Sequence, residues 1–194
     1  MMPPGLLACA PNVAPVTLEA VIAVESGGNP LAVHVNGLRE QPLPAHDAGE
    51  AVQIAAHFIT LGYSVDLGLM QVNSRNLTLL GLTIEQIFDP CTNIRSGSTI
   101  LSADYAAAAH FMGPGQPALQ AALSAYNSGD FYRGIANGYL AHYYGRGSLP
   151  SLAVGPPQSA MAVPSKPPRV AAAADPYTVE TRVFARETSR VRIE

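Results

Sequence analysis

Of the acidic side chains in this 194-residue sequence, Glu25 has the setting that proton-transfer chemistry asks for. Leu18, Val21, Ile22 and Glu25 fall at i, i+3, i+4 and i+7, so the carboxyl shares the apolar stripe of a helix predicted over residues 15–25. An apolar setting penalises the charged form and favours a carboxyl that keeps its proton until a partner takes it, as a general acid must. Ser26-Gly27-Gly28-Asn29-Pro30 then ends the helix, since proline disfavours helical geometry in the residue before it. The carboxyl therefore sits at a helix end beside a sharp turn. From this residue alone, a glutamate on a surface rim is the commoner description.

Two further segments carry amides and hydroxyls next to apolar side chains: Gly68-Leu69-Met70-Gln71-Val72-Asn73 and Ala125-Tyr126-Asn127-Ser128-Gly129. Each also has an ordinary structural reading. Met70 fits as core filler, Gln71 and Asn73 as caps of a following helix, and Asn127-Ser128-Gly129 as a helix-ending turn. His34, His46, His57, His110 and His142 lack ligand-like spacing, so no metal site is expected. No nucleotide-binding loop, serine nucleophile elbow or basic stripe for nucleic acid occurs, and no cofactor is expected.

The elements that must position these residues are mostly helices. Asp47-Ala48-Gly49-Glu50 opens a helix through about residue 61 with a capping box, and Thr83-Ile84-Glu85-Gln86 forms a second such box. A long helix is predicted over 91–111, with Ile94, Leu101, Tyr105 and Ala108 along one face. Another is predicted over 117–126, and a last one over 131–144 that aligns Ile135, Tyr139 and His142. Residues 31–35 followed by Asn36-Gly37 predict a short hairpin. The fold class expected is mainly α with a small hairpin. Residues 1–149 make one domain, 150–176 a proline- and alanine-rich linker and 177–194 a tail; six prolines lie between positions 150 and 168.

Charged residues are 13% and hydrophobic ones 48%, with a net charge of −3, which excludes a disordered or polyanion-coating chain. Residues 1–149 hold five arginines and ten acids, and 150–194 six basic residues and four acids, so the tail is mildly basic. It can be a solvated end or a docking segment. Cys9 and Cys91 stand alone without a CxxC pattern, leaving a disulfide in an exported protein or two buried thiols. No segment reaches membrane-spanning length, and the first eleven residues do not make a signal peptide. Leu6-Leu7-Ala8-Cys9 is only loosely similar to a lipoprotein acylation site, lacking the apolar run before it.

Taken in order, the Glu-Ser-Gly-Gly-Asn-Pro, Gly-Leu-Met-Gln and Ala-Tyr-Asn-Ser-Gly segments resemble the lytic transglycosylases of the goose-type lysozyme superfamily. Cys9-Ala10-Pro11-Asn12-Val13-Ala14-Pro15 before the first and Phe88-Asp89-Pro90-Cys91-Thr92-Asn93-Ile94 after the second narrow the resemblance to those serving type IV secretion and conjugation systems. The likeness covers residues 9–145. It implies a lysozyme-like fold with a sugar cleft, a Cys9–Cys91 disulfide, a periplasmic location and peptidoglycan glycan strands as substrate. Glu25 would be the catalytic acid and base, with Ser26, Met70, Gln71, Asn73, Tyr126 and Asn127 binding substrate. Met70 would offer an apolar contact and Gln71 hydrogen bonds on the cleft floor; Tyr126 would orient Glu25 and Asn127 would hold an N-acetyl group. These residue types suit a glycan, which wants amides and hydroxyls beside apolar surface.

Most glycosidases use two carboxylates, whereas the motifs supply one. Asp66 and Glu50 are the candidates for a second, though neither stands in a context that demands it. One suffices if the substrate's own N-acetyl group supports the cation and its C6 hydroxyl closes on C1, giving an anhydro sugar. A non-cutting peptidoglycan-binding scaffold and a hydrolytic lysozyme are the competing readings. The protein is expected to be a monomer, with secretion-system components as possible partners of the tail.

Overall fold

The computed structural model describes residues 4–144; the linker and tail expected over 150–176 and 177–194 lie outside them. The order of elements is α1 (Pro4–Leu7), α2 (Pro15–Glu25), β1 (Val33–Val35), α3 (Ala48–Thr60), β2 (Val65–Leu67), β3 (Val72–Asn73), a 3-10 turn (Ser74–Asn76), α4 (Leu77–Leu80), α5 (Ile84–Ile87), α6 (Pro90–Met112), α7 (Gln116–Ser128), α8 (Arg133–Ala136) and α9 (Ala141–Tyr144). The architecture is mainly α with one small antiparallel sheet, as the sequence predicts.

Helix starts are set by local chemistry. Asp47 accepts from the Glu50 N–H at 2.9 Å, while the Glu50 carboxylate turns back to the His46 N–H at 2.7 Å. Thr83 and Gln86 complete the reciprocal box that opens α5. Asp89 caps α6 through the Thr92 N–H at 2.8 Å, with Pro90 in the first turn where its missing N–H costs nothing. Leu18, Val21 and Ile22 of α2 are at most 2% exposed and pack with Val35, Leu67, Ile94 and Leu123 in the main core. Ala108, Ala118 and Ala121 form a smaller cluster where α6 and α7 meet.

The sheet order is β1-β2-β3, with Val33 opposite Leu67, Val35 opposite Val65, and Asp66 opposite Asn73. The hairpin expected at Asn36-Gly37 does not form. Gln41 supplies the reason: its Oε1 accepts from the Val35 N–H at 2.8 Å and its Nε2 donates to the Val35 carbonyl at 2.9 Å. One side chain thus occupies the edge that a returning strand would fill, and β1 instead pairs with β2, beyond α3. The true hairpin joins β2 to β3 through residues 68–71.

The last predicted helix is also corrected. It is broken into α8 and α9 at Asn137 and Gly138, where Gly138 has φ +80°, a region L side chains rarely adopt, and Asn137 Oδ1 accepts from the Tyr139 N–H at 3.0 Å. Ile135 and His142, aligned with Tyr139 in the expected helix, are exposed, whereas Tyr139 is half-buried. Cys9 and Cys91 are bonded, with Cα atoms 5.4 Å apart across 82 positions, pinning the segment after α1 to the first turn of α6. In the chain-entropy view a loop of that size stabilises the fold by about 4 kcal/mol.

Candidate active site

Glu25 is the last residue of α2 and is half-buried. Ser26 closes the helix behind it: its Oγ donates to the Ile22 carbonyl at 3.2 Å and accepts from the Gly28 N–H at 3.2 Å. The Tyr139 hydroxyl donates to Glu25 Oε1 at 2.5 Å and lies 2.6 Å from the Tyr143 hydroxyl. Burial, reinforced by the Glu25 charge and by Tyr143, holds the Tyr139 phenol well above its ordinary pKa. Tyr139 therefore remains a protonated donor aimed at the carboxyl.

The Gly68–Gln71 segment is the tight turn of the hairpin, and Asn93 of α6 braces it. Asn93 Oδ1 accepts from the Met70 N–H at 2.8 Å, and its Nδ2 donates to the carbonyls of Leu67 at 2.8 Å and Ile87 at 3.0 Å. Gly68, at φ +70°, presses so close to the Asn93 amide that any side chain there would collide with it. Gln71 is the one non-glycine residue with positive φ, +49°, among the described residues. Such a backbone costs on the order of 1 kcal/mol and persists where its surroundings hold it. Its Nε2 donates to the Gly68 carbonyl at 2.9 Å and the Ala32 carbonyl at 3.3 Å.

Those bonds bring the motifs together. Ala32 follows the Glu25 turn, and its carbonyl also accepts from the Gly68 N–H at 2.8 Å. On the other side, the Tyr126 hydroxyl of α7 donates to the Met70 carbonyl at 2.6 Å. Gly97 of α6 allows this approach, because a Cβ there would lie 2.6 Å from Met70 Cβ and 2.8 Å from the Tyr126 hydroxyl.

The individual expectations fare unevenly. Met70 is 0% exposed, so its side chain is core beneath the turn and not a surface for a sugar ring. The Tyr126 hydroxyl donates to the Met70 carbonyl, and it is the Tyr139 hydroxyl that donates to Glu25 Oε1. Asn73 is 3% exposed and faces inward, its Nδ2 donating to Asp66 Oδ1 and Ser64 Oγ at 2.7 Å each, its Oδ1 accepting from the Arg75 N–H at 3.0 Å. Asn127 is half-buried on α7, and no hydrogen bond engages its amide among the described residues. Asp66, 2% exposed, accepts on both oxygens, from Asn73 and from Asn36 at 3.0 Å, and Glu50 is occupied at the start of α3. Neither stands ready as a second carboxylate. Sequence reasoning missed Tyr139, read as a helix-face residue, and gave Asn93 no role although it lies inside a recognised segment.

A helix-terminal glutamate held by a tyrosine, and a Gln-bearing turn bonded to the Ala32 carbonyl, agree with what similarity finds. Residues 5–144 match the family described as the transglycosylase SLT domain, and the chain belongs to that family. Among curated proteins, Protein virB1 of Agrobacterium fabrum (strain C58) is 43% identical over 132 residues, 68% of this chain and 53% of the relative. The type IV secretion system protein virB1 of Brucella abortus (strain 2308) is 44% identical over 128 residues, 66% of this chain and 53% of the relative. The chain thus spans about half the length of the curated relatives it matches. No solved structure gives a significant match. Among the described residues no helix is long and apolar enough to cross a membrane.

Proposed function

We propose that this chain is a peptidoglycan lytic transglycosylase of the periplasm that opens the wall locally for a type IV secretion or conjugation machine. Glu25, held through Oε1 by Tyr139, is the observation that carries the reading. It would protonate the glycosidic oxygen between N-acetylmuramic acid and N-acetylglucosamine, and the C1–O bond would break with the N-acetyl group supporting the cation. The resulting carboxylate would then take the proton of the muramic C6 hydroxyl as that oxygen bonds to C1. One carboxyl serves both steps, which fits a site whose other candidate acids, Asp66 and Glu50, are engaged elsewhere.

Asn127 and Ser26 are the proposed substrate contacts, with Met70, Gln71, Asn73 and Tyr126 fixing the hairpin turn. The Cys9–Cys91 bond suits an exported protein, since disulfides persist in oxidising compartments. Residues 177–194 are the proposed contact with secretion components. Mass spectrometry of digested sacculi tests the chemistry: products ending in 1,6-anhydromuramic acid are expected, and reducing ends in their place would make the protein a hydrolase.

A further inference from the structure

The tyrosine behind Tyr139 takes no part in the steps just described, yet it is buried completely. Tyr143, on α9, is 0% exposed, its ring 5.3 Å from that of Tyr139 in an edge-on arrangement. A phenylalanine would fill that space as well, and a buried phenol needs a hydrogen-bond partner to offset the loss of water. One such partner is the Tyr139 hydroxyl, 2.6 Å away. Tyr139 has one hydroxyl proton and gives it to Glu25 Oε1, so within the pair Tyr143 must be the donor. The order is Tyr143 to Tyr139 to Glu25, and bonds arranged in such a chain polarise and strengthen one another.

We propose that Tyr143 is a positioning residue for proton transfer: by donating to Tyr139 it commits the Tyr139 proton to Oε1 of Glu25, so that the carboxyl exchanges its own proton through Oε2. This rests on the reading of Glu25 as acid and base. Neither tyrosine is deprotonated. When Oε2 gives its proton to the glycosidic oxygen and the C1–O bond breaks, the new negative charge spreads onto an Oε1 already held by a donor. When Oε2 takes the C6 hydroxyl proton, the starting state returns. A donor's bond tightens as its acceptor becomes charged, so the pair favours the transition state over the bound substrate, and its effect falls on kcat.

The test is Tyr143→Phe, which removes one oxygen and keeps the ring. With soluble uncrosslinked glycan strands as substrate, kcat should fall roughly three- to tenfold with KM unchanged, the worth of one weakened hydrogen bond. The alkaline limb of the pH profile should move to higher pH, because the carboxylate has lost support. In a Tyr139→Phe background the second substitution should add nothing, since Tyr143 acts through Tyr139. If Tyr143→Phe melts below the assay temperature, kcat and the limb are measured beside the parent below its melting point, and an unchanged pair there overturns the proposal. A purely packing role would lower the melting temperature and leave kcat and the limb in place, which overturns the proposal. Glu25→Gln run alongside separates the failures: lost cleavage there with an unaltered Tyr143→Phe discards Tyr143 only, whereas retained cleavage discards Glu25 and the inference with it.

Discussion

Two hydrogen-bonded clusters of polar side chains lie beside the core, and they are built in opposite ways. Around the β2–β3 hairpin, Asp66, Asn73 and Asn93 are at most 3% exposed, and their polar atoms face one another or the backbone. Between α2 and α9, the Tyr143–Tyr139–Glu25 series begins in the core and ends on a half-buried carboxyl. A closed cluster fixes shape, because removing one member leaves the others buried and unpaired. An open one stabilises little but holds a reactive group where something from outside can meet it.

The sharpest way to break the comparison is Glu25→Gln. Cleavage of peptidoglycan should fall by at least about a thousandfold in a zymogram or muropeptide assay, with the melting temperature nearly unchanged. Asn93→Ala should do the reverse, costing about 3 kcal/mol in denaturant unfolding, because the Met70 N–H and the carbonyls of Leu67 and Ile87 lose their partner inside the core. Activity per folded molecule matters less there than the loss of folded molecules.

Asp104 of α6 belongs to neither cluster: among the described residues Oδ2 is buried without a partner, and burial lifts the carboxyl from 3.8 to about 7. The sign follows from the raised value. Below pH 3.8 both folded and unfolded chains hold the proton and nothing is lost; from there to about pH 7 the unfolded chain ionises first, so stability declines. Asp104→Asn should therefore be indistinguishable from the parent near pH 3 and gain about 2 kcal/mol by pH 8. Equal pH dependence of the two proteins in chemical denaturation would reject that account. The smallest effect belongs to Tyr126→Phe, about 1 kcal/mol of stability and a modest rise in KM, since the Met70 carbonyl loses a donor but the turn keeps Asn93. An equally large loss to that of Glu25→Gln would place Tyr126 in the open cluster.

What the sequence disclosed follows the range of each interaction. Asp47 and Thr83 announce their helices because a cap acts within three residues. The partner of β1 was illegible, since Gln41 satisfies Val35 in a way no turn signal announces. Asn137-Gly138 did carry a break signal, and extending one helix through it hid the fact that Tyr139 leaves the helical register. The stripe places Glu25 at a helix end, and only the ordered segments single it out as the proposed acid; the tyrosine that holds it lies 114 positions away, beyond any local pattern. Met70 was misplaced because an apolar residue inside a polar motif reads alike whether it touches ligand or core.

The sulfur bridge divides the molecule in a way that bears on how competence is acquired. The loop it closes contains Glu25 and Gln71, whereas Tyr126, Asn127, Tyr139 and Tyr143 all arrive from beyond Cys91. Oxidation closes the loop that holds Glu25 and Gln71, yet Glu25 gains the Tyr139 hydroxyl only when the segment between α8 and α9 packs against it. A fragment ending just after residue 129 would keep every recognisable signature and lack the phenol that holds its carboxyl, so possession of the signatures does not by itself make a working site.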